Sequence, residues 1–237
     1  GTERALVGYN AGGGLGDSTV GGQRWRVSRR GRNRARTDAT ELRLVPRPVP
    51  APPVSADGVV YVIARTARQF EVVAIEPDTG VIRWRFDAPE AGSLGTLYRP
   101  AIRDGTLYVV TFRGRLTALS TDGPTELWQF QVATELSARS PTATASGVVI
   151  PHGSGIVSLT RDGDLRWQRS FEPESATTAA VASPTIVFVH GQTLYALEAD
   201  TGETLWTATE FTTAPVIADG VVYAVDGATL VGLALDT

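Results

Sequence analysis

The stretch Ala196–Trp206 reads A-L-E-A-D-T-G-E-T-L-W, and further copies of this phrase organise the rest of the chain. Ala74–Trp84, A-I-E-P-D-T-G-V-I-R-W, repeats its Ala, Asp, Thr, Gly and Trp at identical offsets. Ala118–Trp128 keeps the Ala, Asp and Trp with its Gly one place early, and Val157–Trp167 keeps the Gly and the Trp. A fifth copy is divided between the ends of the chain. Gly232–Thr237 supplies G-L-A-L-D-T, and Gly21–Trp25 supplies G-G-Q-R-W at the right Gly-to-Trp spacing. Last residues that need the first ones point to a closed ring.

Around each phrase lies a unit with a leading Pro, at Pro53, Pro100, Pro141, Pro184 and Pro215, followed by turns and apolar runs. Val59–Ile63, Val72–Ile75 and Ile82–Phe86 form one such set, and Leu107–Thr111, Leu116–Leu119 and Leu127–Phe130 the next. Short runs of Val, Ile, Leu and Tyr bounded by Gly and Asp read as strands buried on both faces, not as helices. Asp-Gly pairs supply the positive-φ positions of tight antiparallel hairpins. Four short strands in each repeat of about 40 to 50 residues are the pattern of a propeller blade.

The expected fold is therefore an all-β propeller of five four-stranded antiparallel blades, closed by pairing of the N-terminal strand around Trp25 with the C-terminal blade. One domain, 1–237, is expected: an irregular glycine-rich arm at 1–20, the closing strand at 21–27, an Arg- and Pro-rich connection at 28–52, and repeats from 53 to 237.

Composition narrows the functional classes. With 42% hydrophobic and 20% charged residues the chain can bury a real core, and no run approaches the roughly 18 apolar residues of a membrane helix. The chain opens without a signal-peptide pattern and has no Met, which points to a processed or trimmed chain from which any targeting segment has been removed. There is no Cys, so disulfides, thiolate metal sites and cysteine nucleophiles are excluded. All 22 basic residues are Arg. Nine of them lie between Arg24 and Arg47, where they could bind an anion or nucleic acid, although no aromatic residues interleave them as a stacking site requires. The glycines at 12–16 precede no helix pattern and have no Lys nearby, so they do not read as a phosphate loop.

The phrase AxxxDTGxxxW, preceded by strands such as Gly58–Val62 (G-V-V-Y-V) and Gly105–Val109 (G-T-L-Y-V), resembles the repeat of the pyrroloquinoline-quinone (PQQ)-type β-propellers, over roughly residues 53–237 and 21–25. The resemblance implies that the repeated tryptophan docks between neighbouring blades, a role that falls to Trp25, Trp84, Trp128, Trp167 and Trp206. The periodicity agrees, because a ligand site needs one such ring and a blade interface needs one per blade. That family holds quinone-dependent dehydrogenases and non-catalytic scaffolds. The alcohol dehydrogenases among them use a vicinal disulfide and a Ca²⁺ held by Glu, Asn and Asp. This chain has no Cys, and its Asn residues are Asn10 and Asn33, outside the repeats.

Few residues remain to carry chemistry. His152 and His190 each precede a Gly just after a strand and read as hairpin-turn residues on the outer part of the fold, with no carboxylate at ligand spacing. Most acids sit in turns, where they satisfy local backbone groups. The segments expected to line the channel contribute Arg99, Arg139, Ser140, Ser183 and Thr213, a set suited to an anion or a polyol. The resulting expectation is a monomeric, non-enzymatic scaffold or binding module for a protein or extracellular ligand, with no cofactor and no metal, and the family resemblance implies an extracytoplasmic or secreted location. Its alternatives are a degenerate or partial PQQ-dependent dehydrogenase and an anion or nucleic-acid binder acting through Arg24–Arg47.

Overall fold

The computed structural model describes residues 6–9, 23–27, 51–65, 70–88, 98–111, 114–132 and 138–235. They belong to two compact units, Gly1–Thr96 and Leu97–Thr237. In the first unit, β1 (Leu6–Tyr9) and β2 (Gln23–Val27) pair antiparallel with Gly8 opposite Trp25. The same unit holds a four-stranded antiparallel sheet of β3 (Val54–Ala56), β4 (Val59–Arg65), β5 (Phe70–Ile75) and β6 (Ile82–Ala88).

The second unit repeats that meander. Its first sheet comprises β7 (Ala101–Arg103), β8 (Thr106–Val110), β9 (Arg115–Ser120) and β10 (Glu126–Gln131). The next comprises β11 (Thr142–Ala143), β12 (Gly147–His152), β13 (Gly155–Thr160) and β14 (Leu165–Ser170). A third has β15 (Ala180–Ala182), β16 (Thr185–His190), β17 (Thr193–Glu198) and β18 (Thr204–Thr209). The last has β19 (Val216–Ala218), β20 (Val221–Asp226) and β21 (Thr229–Ala234). All-β meanders of this kind are propeller blades. They are called sheets one to five below, in chain order from β3.

Strand composition follows from position in the sheet. Every residue of β5, β12 and β16 is buried, because second and third strands are covered on both faces and cannot alternate with solvent. The fourth strands β10 and β18 alternate exposed and half-buried residues, as a sheet's outer edge does. Asp57–Gly58, Asp104–Gly105 and Asp219–Gly220 close the first hairpins with positive φ at both residues, 50 and 71°, 47 and 76°, and 49 and 73°. This is the geometry that makes Asp-Gly the favoured two-residue hairpin turn.

One sequence expectation shifts here. Pro184 does not lead the fourth unit: Ser183 and Pro184 form the turn between β15 and β16, and Ala179 stands where the other units have Pro. Among the described residues the strand Gln23–Val27 pairs with Leu6–Tyr9, and the fifth sheet has three strands.

In the second unit each sheet packs on the next through alternate residues of the same strands. Tyr108, Val110, Leu116 and Ala118 meet Val148, Ile150, Val157 and Leu159. The intervening Val149 and Ile156 turn the other way, to Ile186, Phe188 and Leu197. Val187 and Val189 in turn meet Val222 and Ala224. One strand thus serves two interfaces, which is why the sequence shows apolar runs.

The repeated tryptophan locks these interfaces. Third and fourth strands slip by one residue just before it: Ala196 faces Trp206, and then Leu197 faces Thr204. The same bulge occurs at Trp84, Trp128 and Trp167. Trp128 Nε1 donates to Arg161 O at 2.7 Å, and Trp167 Nε1 donates to Ala199 O at 2.9 Å, both in the following sheet. Trp206 Nε1 donates to Leu235 O at 3.2 Å. The ring then covers the turn glycine of the next sheet. A methyl group added at Gly163 or Gly202 would sit 2.6 Å from Cδ2 of Trp128 or Trp167, and both glycines hold positive φ, 90 and 73°.

This geometry predicts a graded cost. Gly220 has φ 73° but nothing within 4 Å of an added Cβ, so Gly220→Ala should cost about 1 kcal/mol of backbone strain. Gly202→Ala adds a ring clash and should cost about 2 kcal/mol or more in urea unfolding. Equal costs would show that the ring yields freely.

Candidate functional site

The segments leading into the first strands were the expected lining of a binding site, and adjacent first strands do lie side by side, β7 with β11 and β15 with β19. Arg99 is exposed ahead of β7, and Ser140 is half-buried ahead of β11. Arg139 is half-buried. Its amide donates to Pro151 O at 2.9 Å, and its guanidinium Nε donates to the Ala176 carbonyl of the following sheet. Thr213 Oγ1 accepts the Val225 amide at 3.0 Å. Thr177 stands at the same repeat position and accepts the Val189 amide at 3.0 Å. Ser183 sits in the exposed β15–β16 turn, away from these lead-in segments. Arg139 and Thr213 therefore tie strands together, and no single cluster gathers all five residues. A repeat alignment that treats Ser183–Pro184 as the equivalent of Asp219–Gly220 puts Thr178 at the position of Arg99 and Ser140.

The tryptophans are placed unevenly. Trp84 is buried with its ring 5.7 Å from that of Tyr61, Trp167 is 9% exposed, and Trp128 and Trp206 are half-buried. Trp25 lies in β2, where the backbone alone is described. The arginine-rich stretch from Arg29 to Arg47 lies outside the described residues.

At the opposite turns the phrase's acids act locally. Glu198 Oε2 accepts the Asp200 and Thr201 amides at 2.9 and 2.6 Å. Burial opposes its charge, but the Thr201 and Asp200 hydrogen bonds outweigh that and hold its pKa below the ordinary value. At the equivalent turn, the Thr79 hydroxyl and then Arg83 lower the pKa of Glu76. Arginines stitch neighbouring sheets: Arg166 pairs with Asp200, and Arg169 Nη1 donates to Gly202 O at 2.7 Å.

The two histidines differ from expectation. They adjoin hairpin turns, but as the last residues of β12 and β16 both are buried, 3% and 5% exposed. His190 Nε2 lies 3.0 Å from Gly153 O of the preceding sheet, and its ring is 5.0 Å from that of Phe171. His152 Nδ1 faces the Ser154 amide at 3.4 Å and hydroxyl at 3.2 Å, while its Nε2 is buried without a partner. Burial, and then the charge of His190, lower the His152 pKa from its ordinary 6.5. Among the described residues no group of three or more His, Cys, Asp or Glu side chains could hold a metal ion. Nor, among the described residues, is any helix long and apolar enough to cross a membrane.

If Thr213 is a strand tie, Thr213→Val should leave the Val225 amide unanswered and cost about 1 kcal/mol in chemical denaturation. Thr213→Ser should cost clearly less, since it keeps the oxygen.

Comparison with known proteins completes the picture. The family profile described as outer membrane protein assembly factor BamB matches residues 15–187 and 154–237. No curated protein sequence matches significantly. Among solved structures, BamB from Moraxella catarrhalis is 19% identical over 78% of this chain and 61% of its own, with a TM-score of 0.58. The computationally designed Ika8 protein is 14% identical over 77% and 57%, at 0.65. The quinohemoprotein alcohol dehydrogenase from Comamonas testosteroni is 17% identical over 80% and 42%, at 0.62. The chain thus spans less than two thirds of each structure, and at these identities the likeness is one of fold. The profile match runs through nearly the whole repeat region: the chain belongs to the BamB family of PQQ-like repeat β-propellers.

Proposed function

We propose that this chain is a non-enzymatic propeller scaffold that binds another protein outside the cytoplasm. The observation that carries this reading is the use of its polar side chains. Arg139, Thr213, Arg166 and Arg169 hold neighbouring strands and sheets together, and Glu76 and Glu198 are committed to their own turns. Such a framework is stiff and presents loops at the sheet ends, which suits a binding platform better than a reaction centre. The family match supports the role, since BamB is by name an outer membrane protein assembly factor. The extracytoplasmic location and the protein partner rest on that kinship, and fold alone does not fix function.

The quinone dehydrogenase alternative draws on fold similarity to a quinohemoprotein alcohol dehydrogenase. The side chains do not fit that chemistry: the sequence contains no Cys for a disulfide against the quinone, and the described residues offer no group of three acidic or imidazole ligands.

Calorimetric titration with PQQ and Ca²⁺ should give no saturable heat, and primary alcohols should reduce an artificial electron acceptor no faster than in protein-free controls. Crosslinking in an envelope fraction should capture a defined protein at the sheet-end loops. Saturable quinone binding with acceptor reduction would move the chain to the dehydrogenases.

A further inference from the structure

We propose that His152 and His190 form a proton-sensitive latch on the turn Gly153–Ser154, releasing one end of sheets three and four on acidification. Four interactions converge on that turn. Gly153 O receives the Glu174 amide at 2.7 Å and His190 Nε2 at 3.0 Å. Ser154 O receives the Phe171 amide at 2.9 Å, and the Ser154 amide faces His152 Nδ1. The turn of one sheet thereby holds both the segment leading to the next sheet and the end of β16, where His190 also bridges to Ala176.

Hydrogen-bond chemistry fixes the ring states. An amide can only donate, so His152 Nδ1 is the acceptor and its hydrogen sits on Nε2. A carbonyl can only accept, so His190 Nε2 carries a hydrogen. A proton from solvent therefore adds to Nδ1 of His152, where it removes the acceptor for the Ser154 amide, sets two N–H groups against each other and leaves the Ser154 hydroxyl oxygen at 3.2 Å as the acceptor in reach. The resulting imidazolium is buried, with Nε2 already lacking a partner, and a charged group in that setting costs far more than a neutral one.

The titratable and charged side chains placed at this seam include His190 across the interface, Arg139, which donates to Ala176 O, and Glu174, whose carboxylate lies against Gly191. Burial, and then a charged His190, disfavour a proton on His152. The sign follows: with its folded pKa depressed, His152 contributes stability that is full above 6.5 and is lost as the pH falls towards the folded value. Local loss precedes global unfolding because the latch lies at the strand ends, beyond the core of Val149, Ile156, Ile186 and Phe188.

Amide hydrogen exchange between pH 8 and 5, corrected for intrinsic rates, tests the latch. Protection of the Ser154, Phe171 and Glu174 amides should fall about tenfold per pH unit below 6.5, where the opened turn takes up the proton, and level off once folded His152 itself protonates, while Val149 and Val187 stay protected. His152→Gln with His190→Gln should abolish that dependence. The wild-type imidazole Cε1 resonances give a second readout that needs no variant, and His152 should titrate below the ordinary value, where the loss of protection levels off. The latch is overturned if the three amides stay protected while His152 titrates, if His152 does not titrate before the sheets unfold, or if the folded double variant keeps the same pH response.

Discussion

A blade cannot bury itself. The sheets of the second unit pack face to face, so each buried face depends on the neighbour that covers it, and the contact that registers one sheet on the next is a tryptophan ring over a turn glycine. The Gly163 and Gly202 positions leave no room for a side chain under that ring, and the indole N–H is answered by a carbonyl of the same turn region. A sheet displaced by one residue would lose the hydrogen bond and drive the ring into backbone. The one-residue bulge before each tryptophan aims the ring at its neighbour and is part of the same device.

That requirement shapes the polar chemistry as well. Arginines reach across the seams to carbonyls and to acids at the hairpin turns, and threonines ahead of the first strands accept amides from the second. These groups are held in fixed geometry by the framework, which leaves the loops at the sheet ends as the variable surface. The histidine pair belongs to those ends, and it places a titratable contact where one sheet hands over to the next.

The strands, their grouping in fours and the Asp-Gly hairpins were legible because turn chemistry and the apolar runs repeat at a regular interval. Pro184 misled because the fourth unit exchanges its Asp-Gly turn for Ser183–Pro184 and its leading Pro for Ala179. A proline in the sequence does not say which of those two places it fills. The burial of His152 and His190 was not legible, since a His-Gly pair after a strand reads the same whether the ring points to solvent or to the adjacent sheet. Facing sides become clear only once Ile186, Phe188 and His190 are seen on one face of β16, against the neighbouring sheet. Where the proposed partner would dock was the least legible part, because loops at the sheet ends carry no repeat signal.

The central claim is that tryptophan docking couples the sheets, and exchange of the indole ring N–H groups of Trp128, Trp167 and Trp206 tests it most directly. Docked rings should exchange slowly, with protection approaching that of the core amides of β12 and β16. Exchange at the rate of a free indole, with those core amides still protected, would show that the sheets hold together by other means and would contradict the account.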